Sequence, residues 1–289
     1  MQSFVIYAII SKKSIVERGK IVSNHSNQKD IRNLVEMAVI LLFCGLTLAL
    51  DYIKIEYVSH VLRNKYISKI IQQGCGGVAA ILLMRRLGIR LFGKPEQLLY
   101  LIPCLLIAVD NFQFSSYFNG HMQLIHKEPL DFILFGLYCL SVGLFEECIF
   151  RGVIFTVFAG LFTKDKKGLL LTFVASSVTF GVAHIFNGNI LQVGYTILTG
   201  GLFAFALMKT KNIFCAAFVH AVYNFGGLLF ETPERFGLGN GVVFDMGTVI
   251  TMAVVSVVLG AFILYSVWKY TEVEQIELYK KLGVSMKKK

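Results

Sequence analysis

Long apolar stretches alternate with short polar segments along most of the chain. A helix crosses roughly 30 Å of hydrocarbon with about 20 residues, so each long stretch is a candidate membrane span. Eight candidates lie at about 34–50, 71–84, 97–113, 130–150, 169–186, 190–208, 212–230 and 243–267. The pattern predicts an all-α fold, a polytopic membrane helical bundle of about eight transmembrane helices.

One further apolar piece, GVIFTVFAGLF, follows the fourth stretch and is too short to span a membrane by itself. We expect it either to prolong the fourth helix or to lie near the interface. A single helix over 131–162 would be about 48 Å long, too long to stand upright. A bend or tilt near Gly152 or Gly160 is therefore expected.

The basic residues predict the orientation of the bundle. If the amino terminus is inside, most of the 28 Lys and Arg residues fall in the segments predicted to be cytoplasmic, as the positive-inside rule requires. Both termini are then cytoplasmic. We expect a cytoplasmic or interfacial segment over 1–33, the bundle over 34–268 and a basic cytoplasmic tail over 269–289. Segment 51–70 alternates apolar and charged residues at helical spacing, and we expect it on the outer surface.

Composition agrees with a membrane protein and argues against a nucleic-acid partner. The chain is 55% hydrophobic and 16% charged, whereas soluble domains are about 25% charged. Its formal net charge of +10 is explained by basic residues that flank the helices and contact the lipid bilayer. A basic stripe with interleaved aromatic residues is not seen. The proline-poor composition, rich in Ile, Lys and Phe, favours a bacterial cytoplasmic membrane.

Three ionisable residues interrupt the apolar run LYCLSVGLFEECIFRGVIFTVF. Such residues at membrane depth normally face a cavity or a partner. Glu147 and Arg151 are four residues apart, so they share a helix face and are expected to pair. Glu146 is rotated from Glu147 by about 100°. The spacing predicts that Arg151 holds Glu147 and leaves Glu146 available for chemistry.

Two later segments carry polar residues at helical spacing. FGVAH places Phe180 one turn before His184, and HAVYN places His220 one turn before Asn224. Glu146 and His184 are nearly equidistant in sequence from the predicted turn KDKK, so they return to similar depth in the membrane. The match in depth of the HAVYN residues is looser. We expect these polar residues to converge.

Together, EECIFRG, FGVAH and HAVYN resemble the EExxxR, FxxxH and HxxxN motifs of the CPBP intramembrane proteases. This family of CAAX proteases and bacteriocin-processing enzymes, also called Abi, includes the type II CAAX prenyl endopeptidases. The resemblance covers roughly 130–230, the expected protease core. It implies peptide-bond hydrolysis within the membrane by a glutamate-activated water and no cofactor.

The predicted catalytic roles follow from the chemistry of each side chain. Glu146 is the expected general base for the water, and His184 shares the hydrogen bonds of that water. Arg151 stabilises the charge of Glu147.

His220 and Asn224 are expected to donate hydrogen bonds to the oxyanion that develops on the substrate. The alternative is a zinc site with Glu146, His184 and His220 as ligands and water in the open position. The HExxH motif is absent and asparagine is an uncommon zinc ligand, which favours the metal-independent reaction.

Several other readings of the polar residues stay open. They could form a structural hydrogen-bond network between helices, a proton or ion pathway, or a non-catalytic immunity or regulatory protein that binds a partner in the membrane. For the protease, the expected substrate is a hydrophobic or lipidated peptide or a membrane protein. The resemblance implies prenylated CAAX tails, peptide-pheromone precursors or bacteriocin leaders.

Overall fold

A computed structural model describes residues 35–47, 62–125, 128–185, 190–231 and 246–285. Segment 1–33 lies outside the described residues. The helices are α1 (Val35–Thr47), α2 (Leu62–Arg86), α3 (Leu101–Asp110), α4 (Phe114–Phe118), α5 (Pro129–Glu147), α6 (Phe155–Leu161), α7 (Lys166–Ala183), α8 (Ile190–Thr210), α9 (Ile213–Leu228), α10 (Met246–Trp268) and α11 (Glu272–Lys281). A 3₁₀ turn (Leu98–Tyr100) precedes α3, and a π-helical segment (Cys148–Ile154) joins α5 to α6. A two-residue antiparallel ladder pairs β1 (Gln123–Leu124) with β2 (Phe230–Glu231).

Among the described residues, each of the eight predicted apolar stretches overlaps a helix. In the described part of the chain, five helical segments are long and apolar enough to cross a membrane: Tyr66–Arg86, Leu98–Phe118, Pro129–Leu161, Lys166–Ala183 and Val193–Thr210. Three shorter apolar helices are Val35–Thr47, Ile213–Leu228 and Val257–Trp268. The chain is therefore a multi-pass membrane protein that is mostly helical, and eight crossings remain a prediction.

The second helix is longer than its predicted stretch of 71–84. It begins at Leu62, so the second half of segment 51–70 belongs to α2, and residues 51–61 lie outside the described residues. Tyr66 is buried against the rings of Phe135 and Tyr138, with centroid distances of 5.8 and 5.5 Å. Aromatic contacts of this kind stabilise the first turns of α2 on α5.

The apolar piece GVIFTVFAGLF prolongs the fourth helix, which is the first of the two expected arrangements. Helical structure runs without interruption from Pro129 to Leu161. Its geometry changes at the π-helical segment, which contains Gly152 and not Gly160. A Cβ on Gly152 would lie 2.5 Å from Sδ of Met84. The glycine therefore permits close packing between this segment and α2.

Four segments that the positive-inside rule predicts to be cytoplasmic meet at one end of the bundle: 85–96, 163–168, 209–211 and 268–289. Gln275 Nε2 of α11 donates to the Asp165 carbonyl oxygen at 2.9 Å, and Arg90 N donates to the Lys281 carbonyl oxygen at 2.7 Å. Glu96 N donates to the carbonyl oxygen at the end of α8, at 2.9 Å. These four segments therefore lie at the same end of the bundle, as predicted. The compartment that this end faces remains a prediction.

Lys211 joins α11 to the turn between α8 and α9. Its backbone lies in the left-handed region at φ 50°, and its side chain is 1% exposed. Nζ donates to Glu96 Oε2 at 2.5 Å and also to Glu277 Oε2. Burial acts against the charged ammonium, but these carboxylates outweigh it and raise the pKa of Lys211. The pairing therefore stabilises an otherwise unfavourable turn.

A neighbouring pair strengthens the same junction. Lys209 Nζ donates to Glu274 Oε1 at 2.9 Å. Burial raises the pKa of Glu274, but hydrogen bonds from the Thr271 backbone, Lys209 and Gln97 outweigh it and lower the pKa to about 2. Glu274 also completes a capping box with Thr271 at the start of α11. The amino-terminal turn of α11 is thus bonded directly to the end of α8.

Replacement of Lys211 by alanine should destabilise this end of the bundle. The substitution leaves the Glu96 and Glu277 carboxylates without the buried cation that they share, so the free energy of unfolding should fall by about 1–3 kcal/mol. Thermal unfolding of the detergent-solubilised protein measures this through Trp268, the single tryptophan of the chain. The exposed Lys280→Ala variant on α11 is the control. Equal unfolding midpoints for the two variants would contradict the prediction.

Candidate active site

Polar side chains from three helices meet inside the bundle. Glu146 and Glu147 end α5, and Arg151 lies in the π-helical segment that follows. His184 is the residue directly after α7, and His220 lies in the first half of α9. The expected convergence of these five residues is present in the structure. A π-helical segment inside an α-helix is uncommon and is frequent at functional sites.

Glu147 and Arg151 form the ion pair that their spacing predicts. Arg151 Nη1 donates to Glu147 Oε1 at 3.1 Å, and both side chains are completely buried. Arg151 Nη2 donates to the Gly200 carbonyl oxygen on α8 at 2.7 Å. The guanidinium carbon also lies 4.2 Å from the ring centroid of Phe180, a cation–π contact. These contacts offset part of the cost of burying the pair, while Arg151 Nε and Glu147 Oε2 have no hydrogen-bond partner among the described residues.

His220 is bonded to Glu147, a contact that the sequence did not predict. The His220 Nδ1 atom lies 2.9 Å from Glu147 Oε1, the oxygen that also accepts from Arg151. Because the ion pair keeps this carboxylate an acceptor, Nδ1 of His220 is the donor. The other ring nitrogen, Nε2, lies 3.8 Å from Glu146 Oε2. Glu147 therefore orients His220 toward Glu146.

His184 is oriented in the same way by a backbone carbonyl. Its Nδ1 atom lies 2.8 Å from the Phe180 carbonyl oxygen, four residues earlier in the last turn of α7. A carbonyl oxygen can only accept, so Nδ1 carries the proton and Nε2 is left for other contacts. His184 Nε2 lies 3.8 Å from Glu146 Oε2. The imidazoles of His184 and His220 thus face the same carboxylate oxygen.

Solvent exposure separates the two glutamates. The side chains of Glu146 and His184 are 14% and 16% exposed, whereas those of Glu147 and Arg151 are 0% exposed. Adjacent residues on a helix point about 100° apart, so the Glu146 side chain keeps some exposed surface, although its Oε2 atom is buried, while Glu147 is sealed inside. The predicted pairing of Arg151 with Glu147 is present, and the role of Glu146 stays a prediction.

Asn224 is the predicted site residue that the structure connects least directly to the others. It lies one turn after His220 on α9 and is half-buried. Among the residues that the structure describes, no hydrogen bond joins Asn224 to the other five predicted site residues. Its predicted oxyanion role therefore rests on its position one turn from His220.

The orientation of His184 and His220 fits a zinc site better than the spacing between the candidate ligands does. In zinc sites, ligating histidines usually donate their second ring N–H to a carboxylate or carbonyl, as His184 and His220 do here. Tetrahedral zinc ligands with bonds of about 2.0–2.1 Å lie about 3.3 Å apart, whereas Glu146 Oε2 is 3.8 Å from each Nε2. Within the described ranges, no group of three His, Cys, Asp or Glu has the arrangement of a metal site.

The helix α8 supports the site although it carries none of the predicted residues. Gly200 supplies the carbonyl that accepts from Arg151, and Phe203 packs on His220. A Cβ on Gly200 would lie 3.0 Å from the Ser177 carbonyl oxygen of α7. The adjacent glycines in TGG are the sequence signal for this close approach, but they do not reveal what the helix contacts.

The fold and site define a multi-pass membrane protein with a buried ion pair beside an accessible carboxylate and two imidazoles. Residues 128–226, about a third of the chain, match the family model described as Type II CAAX prenyl endopeptidase Rce1-like. This stretch, from the start of α5 into α9, is therefore similar to the Rce1-like CAAX proteases. Comparisons with curated proteins and with solved structures found no match.

Replacement of Arg151 by lysine should destabilise the site although the charge is kept. A single ammonium cannot reproduce the rigid fork with which the guanidinium donates to Glu147 and to Gly200. We expect the free energy of unfolding to fall by about 1–3 kcal/mol, measured by thermal unfolding in detergent. Arg86→Lys is the matched control, because Arg86 is 55% exposed and pairs with Glu36. An Arg151→Lys variant as stable as this control would contradict the expected role of the fork.

Proposed function

We propose that the protein is an intramembrane endopeptidase that hydrolyses a peptide bond in a hydrophobic or lipidated peptide or a membrane protein. One observation carries the proposal: Oε2 of the partly exposed Glu146 side chain faces Nε2 of both His184 and His220, and the Nδ1 atom of each ring is already bonded. The match to CAAX endopeptidases over the same helices supports it.

The attacking group is a water that Glu146 and His184 hold together. Hydrogen bonds of about 2.8 Å to Glu146 Oε2 and His184 Nε2 are compatible with the 3.8 Å between these atoms. In the neutral ring, His184 Nε2 accepts a hydrogen bond from one O–H of the water, which keeps that proton, and the other O–H is directed at Glu146. Glu146 takes that proton as general base while the water oxygen attacks the substrate carbonyl carbon.

His220 and Asn224 stabilise the oxyanion of the tetrahedral intermediate. When doubly protonated, His220 donates Nδ1–H to Glu147 and can donate Nε2–H to the oxyanion. The Glu147 carboxylate, itself held by Arg151, accepts the Nδ1–H bond and fixes the ring. The Asn224 amide is the second donor. Fixed donors of this kind often make the largest electrostatic contribution to catalysis.

Collapse of the intermediate completes the hydrolysis. The carbonyl–nitrogen bond breaks, and the proton held by Glu146 passes to the leaving amine. The products are a carboxylic acid and an amine, and Glu146 returns to its ionised form. Protons and electrons balance with water as the only co-reactant.

The proposed substrates follow from the membrane setting. A site inside an apolar bundle suits a peptide that is itself hydrophobic or lipidated. Prenylated CAAX tails, peptide-pheromone precursors and bacteriocin leaders meet this requirement, and we place the reaction at a bacterial cytoplasmic membrane. Of these, peptide precursors without a prenyl group agree best with a bacterial source.

Replacement of Glu146 by glutamine should abolish cleavage while leaving the fold intact. The amide has the same size as the carboxylic acid but cannot take a proton from water, so the rate should fall by at least about 100-fold. Peptides released into membranes and medium, compared between cells with wild-type and Glu146→Gln protein, measure the activity and identify the substrate.

Glu272→Gln, an exposed substitution on α11, is the control for that comparison. Wild-type cleavage by Glu146→Gln would refute the general-base role. A biological phenotype that survives alanine at Glu146, His184 and His220 would instead favour the non-catalytic immunity or regulatory alternative.

Removal of metal should leave the proposed reaction unchanged, because no step in it uses a metal. Purified protein in liposomes is treated exhaustively with a chelator, and cleavage of the identified peptide is compared before and after. We expect equal rates. Loss of activity that added zinc alone restores would establish the zinc alternative with Glu146, His184 and His220 as ligands.

A further inference from the structure

The ring of Phe203 on α8 lies flat against the imidazole of His220. Their centroids are 4.3 Å apart and their planes differ by 14°. Phe203 is 1% exposed, and its ring centroid is also 5.4 Å from the Arg151 guanidinium carbon. No motif in the sequence marks this residue. Phe203 therefore contacts a residue of the candidate site but has no role in the reaction steps proposed above.

The stacking restricts a motion that the hydrogen bond to Glu147 leaves open. A single bond at Nδ1 fixes one atom of His220, but the ring can still tilt about that bond. Phe203 covers one face of the imidazole, and Phe180 packs with its plane at 82° to the imidazole at a centroid distance of 5.7 Å. The combination fixes the ring plane and therefore the direction of Nε2, which lies 3.8 Å from Glu146 Oε2.

The position of Phe203 is tied to the ion pair through the same helix. Gly200, three residues earlier on α8, supplies the carbonyl oxygen that accepts from Arg151 Nη2 at 2.7 Å. Gly200 also lets α8 pack closely on α7, where a Cβ would lie 3.2 Å from Phe180 Cδ1. One turn of α8 thus contacts both the cation that holds Glu147 and the histidine that Glu147 orients.

We propose that Phe203 is a positioning residue for His220, which keeps Nε2 directed at the reacting centre. The inference rests on the proposed hydrolysis, in which His220 stabilises the oxyanion. Phe203 acts through His220, so its loss should lower the rate of the chemical step more than the binding of substrate.

Phe203→Leu tests this role against a matched variant. Phe205 lies on the same helix and is fully buried, but its ring packs on Tyr100 at 6.0 Å. Phe203→Leu and Phe205→Leu remove the same ring atoms from equally buried positions. In cleavage of the identified peptide, we expect Phe203→Leu to lower kcat about 10- to 100-fold, as for other residues that orient a functional histidine. KM should stay within about twofold, and Phe205→Leu should keep kcat within about threefold.

A spectroscopic measurement tests the positioning without any activity. In ¹⁵N-histidine-labelled protein, the His220 ring should give a single set of signals in which Nδ1 carries a proton. Phe203→Leu should broaden or shift these signals, and Phe205→Leu should leave them unchanged. Unchanged His220 signals in Phe203→Leu would overturn the inference. This result does not depend on the activity of Glu146→Gln, so it is distinct from a failure of the proposed hydrolysis.

The kinetic outcomes separate the two proposals. If Glu146→Gln is inactive and Phe203→Leu retains wild-type kcat, the positioning role is wrong and the hydrolysis stands. Equal losses of kcat in Phe203→Leu and Phe205→Leu, with equal losses of thermal stability, would mean that the ring only fills space. That result would also overturn the inference.

Discussion

The buried charge of Arg151 is the constraint on which the site depends. A guanidinium inside an apolar bundle is costly unless it is paired with a counter-charge and hydrogen-bonded. Glu147 supplies the counter-charge, Gly200 a carbonyl oxygen and Phe180 an aromatic face. These partners come from three different helical segments, so satisfying one cation fixes their relative positions. The hydrogen bond between Glu147 and His220 then fixes the position of α9 relative to the ion pair.

This arrangement gives two adjacent glutamates different properties. Glu147 is sealed inside and bonded to a cation and an imidazole, so its charge is structural. Glu146 points away from it and keeps a small exposed area beside His184. A helix needs only the 100° step between neighbouring residues to produce this difference. Glu147 thus orients His220, which in turn faces Glu146.

A second set of charges acts on the same helices from outside the membrane-spanning region. Lys211 lies in the turn between α8, which carries Phe203, and α9, which carries His220. Its bonds to Glu96 and Glu277 tie that turn to the loop after α2 and to α11. The relative position of α8 and α9 is therefore set at two levels, by Lys211 at one end and by Arg151 within the bundle.

The sequence by itself predicted a multi-pass membrane protein and singled out the polar residues that meet inside it. Hydropathy predicted the apolar helices because a membrane span must be long and uninterrupted, and the spacing of Glu147 and Arg151 predicted their pairing because helical neighbours are local. Only the tertiary structure decided that His220 bonds to Glu147, that α8 supplies Gly200 and Phe203, and that α2 starts at Leu62. Those contacts join residues far apart in the chain, and sequence periodicity describes only which face of a helix is apolar, not which partner that face meets.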